Sequence, residues 1–188
     1  MDRLTDRELL RDYARSRDGD SLGVFLSRHQ DSLLRFTERL LRDHEAAQDV
    51  VQETFLRVAR DPGRILKVEN HQVWLLKVAR NIGISHLRRL SVARRHADEL
   101  GRRLAGAARN GDGRDALEAE ETRDEVRAQV DRLTPRHREV LLLKVQEGKS
   151  YREIAAITGL SVTNVGYLLH HAMKGLARRL SQRKEGPP

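Results

Sequence analysis

Lys77, Asn81, Ser85 and Arg88 recur at i, i+4, i+8 and i+11 along one stretch of the chain. On a helix they share a face offering hydrogen-bonding groups and positive charge. Such a face suits single-stranded or melted nucleic acid, which presents base edges and phosphates together; a plain solvated face is the other reading. Arg80 and Arg89 lie where they reach phosphates. Trp74, Val78 and Ile82 are expected to form the buried side of the same helix. Gly83 costs it roughly 1 kcal/mol relative to alanine and allows close approach of another chain or of nucleic acid.

Residues 150–170 carry the strongest local signal. Ala155 stands four residues before Gly159 and Val165 six after it, with Ile154, Leu160 and Leu168 apolar around them. This is the spacing of a helix-turn-helix. Ala155 permits close packing, Gly159 takes the positive φ of the turn, and the apolar residues form the small core between two steeply angled helices. An ordinary helical hairpin is the alternative. Asp49 and Glu53, four residues apart, repel on an isolated helix. With Gln52 they could offer an acidic face to a basic partner, although on spacing alone a simple solvated face is the better reading.

Other chemistries lack their residues. The chain has no cysteine, which excludes disulfides, thiolate zinc sites and cysteine nucleophiles. Its eight histidines include the adjacent pair His170 and His171 but no ligand spacing on one helix face, so no metal site is expected. Neither a phosphate-cradling glycine loop nor a nucleophile elbow occurs. No cofactor and no catalytic group are therefore expected; for a nuclease or recombinase, Asp49 and Glu53 alone are a thin case.

The elements that must position these residues are helical. Of 188 residues, 34% are charged and only 4% aromatic, which fits small helical modules better than a β-sandwich or one large core. Thr5 with Glu8 reads as a capping box, Asp18 to Ser21 as a break, and Asp61-Pro62-Gly63 as a helix stop. A helix from about His71 to Arg89 follows. Thr134-Pro135 starts another, Ser150 with Glu153 caps the next, and Ser161 caps the last. Residues 91–122 are rich in Arg, Ala, Gly and Asp and read as a linker. The expected fold is all-α. Two small helical domains, 1–90 and 123–183, are joined by the flexible linker 91–122, and 184–188 form a disordered tail.

Charge points to a polyanionic partner. The net charge is +8, with 30 of the 36 basic residues arginine. Residues 88–114 hold 8 basic and 3 acidic groups, net +5, so more than half of the excess lies in this one short central stretch. Compositional bias accounts for the arginine excess equally well. No apolar run approaches the roughly 20 residues of a membrane span, and Met1 to Leu10 is charged. A cytoplasmic protein without membrane insertion is expected.

Together these segments resemble one family. Ala46-Ala47-Gln48-Asp49-Val50-Val51-Gln52-Glu53-Thr54-Phe55-Leu56-Arg57 resembles the polymerase-binding helix of bacterial RNA polymerase sigma factors. Trp74-Leu75-Leu76-Lys77-Val78-Ala79-Arg80-Asn81 resembles the promoter-melting helix that follows it. Leu133-Thr134-Pro135-Arg136-His137-Arg138-Glu139-Val140, then Ser150-Tyr151-Arg152-Glu153-Ile154-Ala155, resembles the C-terminal sigma domain. Two such domains on a short chain are similar to the extracytoplasmic-function (ECF) group, with a region 2-like bundle and a region 4-like helix-turn-helix domain.

The resemblance implies roles. Asp49, Gln52, Glu53 and Phe55 would bind core RNA polymerase. Lys77, Arg80, Asn81, Ser85 and Arg88 would meet the minus-ten strand, with Lys67, Glu69 and Asn70 in the loop that pockets a flipped base. Arg152, Thr163, Asn164, Tyr167, His170, His171 and Lys174 would meet the minus-thirty-five duplex. Core polymerase, promoter DNA and an anti-sigma factor are the implied partners. The chain departs from the family where Gly166, Leu168, His171 and Met173 stand at positions usually basic, which implies a weaker or altered minus-thirty-five contact. Leu168, Leu169 and Met173 are either core or a protein-binding surface. A stand-alone helix-turn-helix regulator is the alternative function. The linker is long enough for the two domains to pack together and hide both DNA surfaces.

Overall fold

The computed structural model describes residues 4–101, 126 and 128–184, and those in regular structure are all helical. Five helices make the N-terminal bundle: α1 (Asp6–Ser16), α2 (Gly19–Leu41), α3 (His44–Arg60), α4 (Pro62–Leu66) and α5 (His71–Gly101). Three make the C-terminal unit: α6 (Pro135–Val145), α7 (Tyr151–Thr158) and α8 (Val162–Lys184). A further helical stretch, 128–131, precedes α6. Of the expected tail, Lys184 is the last residue of α8 rather than disordered, and 185–188, with most of the expected linker, lie outside the described residues.

Each start has a chemical cause. Thr5 Oγ1 accepts from the Glu8 N–H at 3.3 Å while Glu8 Oε2 accepts from the Thr5 N–H at 2.7 Å. This reciprocal pair satisfies two otherwise orphaned donors. Asp18 accepts from Asp20 and Ser21 to begin α2, and Asp43 from Ala46 to begin α3. Asn70 Oδ1 accepts from the Val73 N–H at 3.0 Å, at the head of α5. Ser150 and Glu153 form the second capping box, and Gly159 ends α7 with φ +76°. Two details differ from the sequence expectation. Pro62, placed at a first helical turn, begins the one-turn α4 rather than a plain loop. Helix α5 continues past Arg89 to Gly101.

The buried side of α5 also differs. Leu75, Leu76 and Ala79 are fully buried, whereas Trp74, Val78 and Ile82 are only half-buried. The expected stripe is one position out of phase because the bundle meets the neighbouring strip of the helix. Gly83 is buried too, and a Cβ there would lie 3.3 Å from Leu41 Cδ2 and 3.6 Å from Leu40 Cδ2. What approaches Gly83 closely is therefore α2 of the same bundle.

The two units pack together, and their buried side chains form one continuous apolar cluster. Arg80 of α5 makes a two-pronged ion pair with Glu139 of α6, whose side chain is 4% exposed. Asn70 Nδ2 donates to Glu153 Oε1 at 3.1 Å. Lys149 donates to Gln72, Gln72 donates to Ser32 Oγ at 3.2 Å, and Ser32 donates to Glu147. The linker's length permits this closure, but it does not cover both nucleic-acid faces alike, as the site geometry shows.

Candidate nucleic-acid and partner interfaces

The acidic face of α3 lies open. Asp49 and Gln52 are exposed, Glu53 is half-exposed and Phe55 half-buried. Glu53 accepts from Arg57 Nε at 3.1 Å, an exposed i, i+4 pair worth a few tenths of a kcal/mol, about 0.3–0.5. Beside this face runs an apolar groove of about 510 Å³ between α2 and α3, lined by Leu22, Leu26, Leu34, Val51, Phe55 and Leu56. Leu56 is 41% exposed. The groove brings Gln52 and Phe55 together with leucines of α2, a grouping that sequence reasoning did not make. The signal was present: the apolar stripe of α2 is wider than one bundle face needs.

On α5, Lys77, Asn81, Ser85 and Arg88 are all exposed, as are Lys67, Glu69 and Asn70 in the preceding loop. Ser85 Oγ donates back to the Asn81 carbonyl at 2.9 Å. Arg80 stands apart from this open face, because its guanidinium is held by Glu139 and also donates to Asn81 Oδ1 at 3.2 Å. Asn70 is held at both ends, by Val73 and by Glu153. Hydrogen bonds from the Ser150 backbone and hydroxyl, with a smaller contribution from Asn70, hold the Glu153 carboxyl below the usual carboxylate range. Closure thus engages Asn70 and Arg80 and leaves the rest of the set free. Sequence reasoning missed Glu139 and Glu153 as their partners.

His71 sits at the head of α5, 8% exposed, with Nε2 buried and unpartnered among the described residues. Its ring lies 6.3 Å from that of Phe25. Burial is the main cause that pulls its pKa below the ordinary histidine value; Asp6 opposes this while Arg7 and His29 add to it. The folded pKa is lower than the unfolded one, so the neutral form is favoured by folding. This stability is present above the unfolded value and is lost as pH falls through the folded one. The thermal midpoint is expected to drop between about pH 7.5 and about pH 5.5, and His71→Phe to remove part of that drop. Melting curves across this window test it; an equal drop in His71→Phe counts against the assignment.

In the C-terminal unit, Val165, Leu168, Leu169 and Ala172 are buried, whereas Thr163, Asn164, Tyr167, His170, His171 and Lys174 face outward. The Asn164 N–H donates to Ser161 Oγ at 3.1 Å, and its side chain makes no hydrogen bond among the described residues. The Tyr167 and His171 rings pack against each other at a tilt of 47°, with centroids 4.2 Å apart. Arg152 is exposed at the head of α7. Leu168 and Leu169 are therefore core, and Met173, 52% exposed, is surface. The outward face of α8 stays open in the closed arrangement. Among the described residues no group of three or more His, Asp or Glu is placed to hold a metal ion.

Comparison with known proteins agrees with this architecture. The family model for sigma-70 region 2 matches residues 25–92, and that for sigma-70 region 4 matches residues 123–176. RNA polymerase sigma factor CarQ of Myxococcus xanthus is 30% identical over 170 residues, covering 89% of this chain and 95% of its own. ECF RNA polymerase sigma factor SigC of Mycobacterium tuberculosis is 31% identical over 150 residues, covering 79% and 77%. Among solved structures, the sigma factor RpoE in complex with the anti-sigma factor NepR from Bartonella quintana superposes with a TM-score of 0.66 at 22% identity, covering 83% of this chain and 94% of that one. CnrH in complex with the cytosolic domain of CnrY gives 0.64 at 22% identity, covering 95% and 98%. These two likenesses concern the fold. The matched regions fall on the N-terminal bundle and the helix-turn-helix unit in the order the motifs require, and the chain belongs to the sigma-70 family of RNA polymerase sigma factors, in its extracytoplasmic-function group.

Proposed function

We propose that this sigma factor binds core RNA polymerase through α3 and directs promoter-specific initiation, capturing the minus-ten strand on α5 and the minus-thirty-five duplex on α8. The observation that carries the reading is the pairing, on one open surface, of Asp49, Gln52 and Glu53 with the apolar groove at Phe55. A regulator acting alone on duplex DNA needs no such surface. The functional units are 1–90, the linker 91–122, the helix-turn-helix domain 123–183 and the tail 184–188.

On the strand side, Lys77, Asn81, Ser85 and Arg88 form an open track on α5, with Lys67 and Glu69 at its head. Asn70 and Arg80 join the track only once Glu153 and Glu139 release them. Binding energy to unpaired bases then stabilises the open bubble, and no catalytic group is required. On the duplex side, Asn164 would pair with adenine and Thr163 and Tyr167 would touch base edges. Arg152, His170, His171 and Lys174, all exposed, would meet phosphates. An anti-sigma factor is a further partner, supported by the anti-sigma complex in which RpoE was solved. No described helix is long and apolar enough to cross a membrane, and we place the protein in the cytoplasm with its polymerase.

Gel filtration with bacterial core polymerase tests the reading. The unaltered chain is expected to co-elute, and Asp49→Lys with Glu53→Lys to abolish co-elution while leaving the melting curve unchanged, since both side chains lie on the surface. Retained co-elution in the double variant would remove α3 from the interface. Duplex binding without any polymerase binding would favour the stand-alone regulator.

A further inference from the structure

Gly166 stands on the outward part of α8, one helical turn from Thr163 on one side and from His170 on the other. A side chain there would project between them. The Tyr151 ring covers this spot from outside the helix: a Cβ at position 166 would be in van der Waals contact with it, 3.5 Å from Cε2 and 3.9 Å from Cδ2. Lys144 Nζ approaches the Tyr151 ring, 5.6 Å from its centroid, and also donates to the Lys149 carbonyl at 3.4 Å. The ring is thus held between bare backbone and a tethered ammonium. It remains 43% exposed, and its hydroxyl makes no hydrogen bond among the described residues. The only other tyrosine of the C-terminal unit, Tyr167, stands on α8 itself, while the Tyr13 hydroxyl in the bundle is used up on the Ala59 carbonyl.

In a helix-turn-helix the first helix crosses the phosphate backbone while the second enters the groove. Tyr151 is the first residue of that first helix. From Val162 to Lys174 the only cation with a fixed charge is Lys174, so phosphate contacts on this unit must come largely from elsewhere. We propose that Tyr151 supplies one of them: its hydroxyl donates to a phosphate oxygen beside the groove, in the position that a side chain at 166 would otherwise serve. The inference rests on the reading that α8 faces duplex DNA. It assigns Tyr151 a sequence-neutral positioning contact, distinct from the base-reading role of Asn164.

Fluorescence anisotropy of the full chain with labelled duplexes of roughly 25 base pairs at about 50 mM salt tests it. One probe is a random-sequence pool and the other a sequence enriched from that pool by the unaltered chain. Tyr151→Phe keeps the ring over Gly166 and removes only the hydroxyl. It is expected to weaken binding about tenfold or more to both probes, as loss of a single hydrogen bond to a charged group does, with the enriched sequence and the melting temperature unchanged. Asn164→Ala, by contrast, is expected to alter the enriched sequence. Equal binding by Tyr151→Phe and the unaltered chain overturns the proposal and leaves Tyr151 as a cover for Gly166. Weakening confined to the enriched duplex also overturns it, because the contact is then to a base. If the unaltered chain binds neither probe, the duplex reading of α8 falls and this assignment with it.

Discussion

Glu139→Ala is expected to open the molecule without unfolding it. The Glu139 carboxylate is 4% exposed and its partner Arg80 is 21% exposed. Removing one member of a buried pair costs roughly 3–5 kcal/mol, because the remaining charge stays desolvated without a partner. Here the two members belong to different units, so the chain escapes that cost by undocking and returning Arg80 to water. A 3 kcal/mol change moves the closed-to-open ratio by about two orders of magnitude. The chain has no cysteine, so cysteines placed at the exposed positions Ala14 and Ala177 take fluorophores cleanly. Energy transfer between them is expected to fall in Glu139→Ala and to recover in part when Arg80→Met is added. The same variant frees Arg80, and its affinity for single-stranded minus-ten DNA should rise. Unchanged energy transfer would mean that the apolar part of the interface alone holds the units together.

The neighbouring residue is expected to do the reverse. Arg138 is 7% exposed, and its guanidinium donates to the carbonyls of Asp131 at 2.6 Å, Leu133 at 3.2 Å and Val130 at 3.5 Å. The Val130 and Asp131 carbonyls end the helical stretch 128–131, where a cation is favoured, and Leu133 lies in the bend that follows. Burial pulls the pKa of Arg138 below that of a free arginine, Asp131 opposes the shift, and Arg42 adds to it. Arg138→Met leaves the Asp131 and Leu133 carbonyls without this donor, at about 1–3 kcal/mol each where water cannot replace it, while the Val130 carbonyl keeps the Leu133 N–H at 3.0 Å. About 2 kcal/mol or more is a large part of the stability of a unit this small, on the order of 5 kcal/mol. Lysine should not rescue it, since a single ammonium cannot span three acceptors as the planar fork does. Hydrogen exchange is the measurement: protection in α6 to α8 should collapse while α1 to α4 stay protected. Uniform protection in Arg138→Met would show that water satisfies the carbonyls.

These two adjacent residues illustrate what was legible in the sequence. The caps were, because each is a local pair of side chain and backbone within three residues, as at Thr5 and Glu8 or Ser150 and Glu153. The helix-turn-helix was legible for the same reason, through Ala155, Gly159 and Val165. The phase of α5 was misjudged: Trp74, Val78 and Ile82 share a stripe, but α2 and α3 meet the strip of Leu75, Leu76 and Ala79. Nothing in the local pattern separates two apolar strips one position apart. The contacts of Asn70 with Glu153 and of Arg80 with Glu139 were not legible at all, since they join residues 83 and 59 positions apart. The groove went unseen because a leucine facing an open trough reads the same as one facing a core.

Glu153 closes the capping box of α7 with one oxygen and receives Asn70 with the other. Any substitution there that loosens the docked state also frays the helix that begins the DNA-reading unit. Asn70 is bound in the same way, since its Oδ1 accepts from the Val73 N–H at the head of α5. Mutational drift in docking strength is therefore channelled away from Glu153 and Asn70 and toward Glu139, whose loss leaves both helix starts intact. Within this lineage, the heritable tuning of how readily the factor is released should be written at Glu139, with the two capping residues kept as bystanders too costly to change.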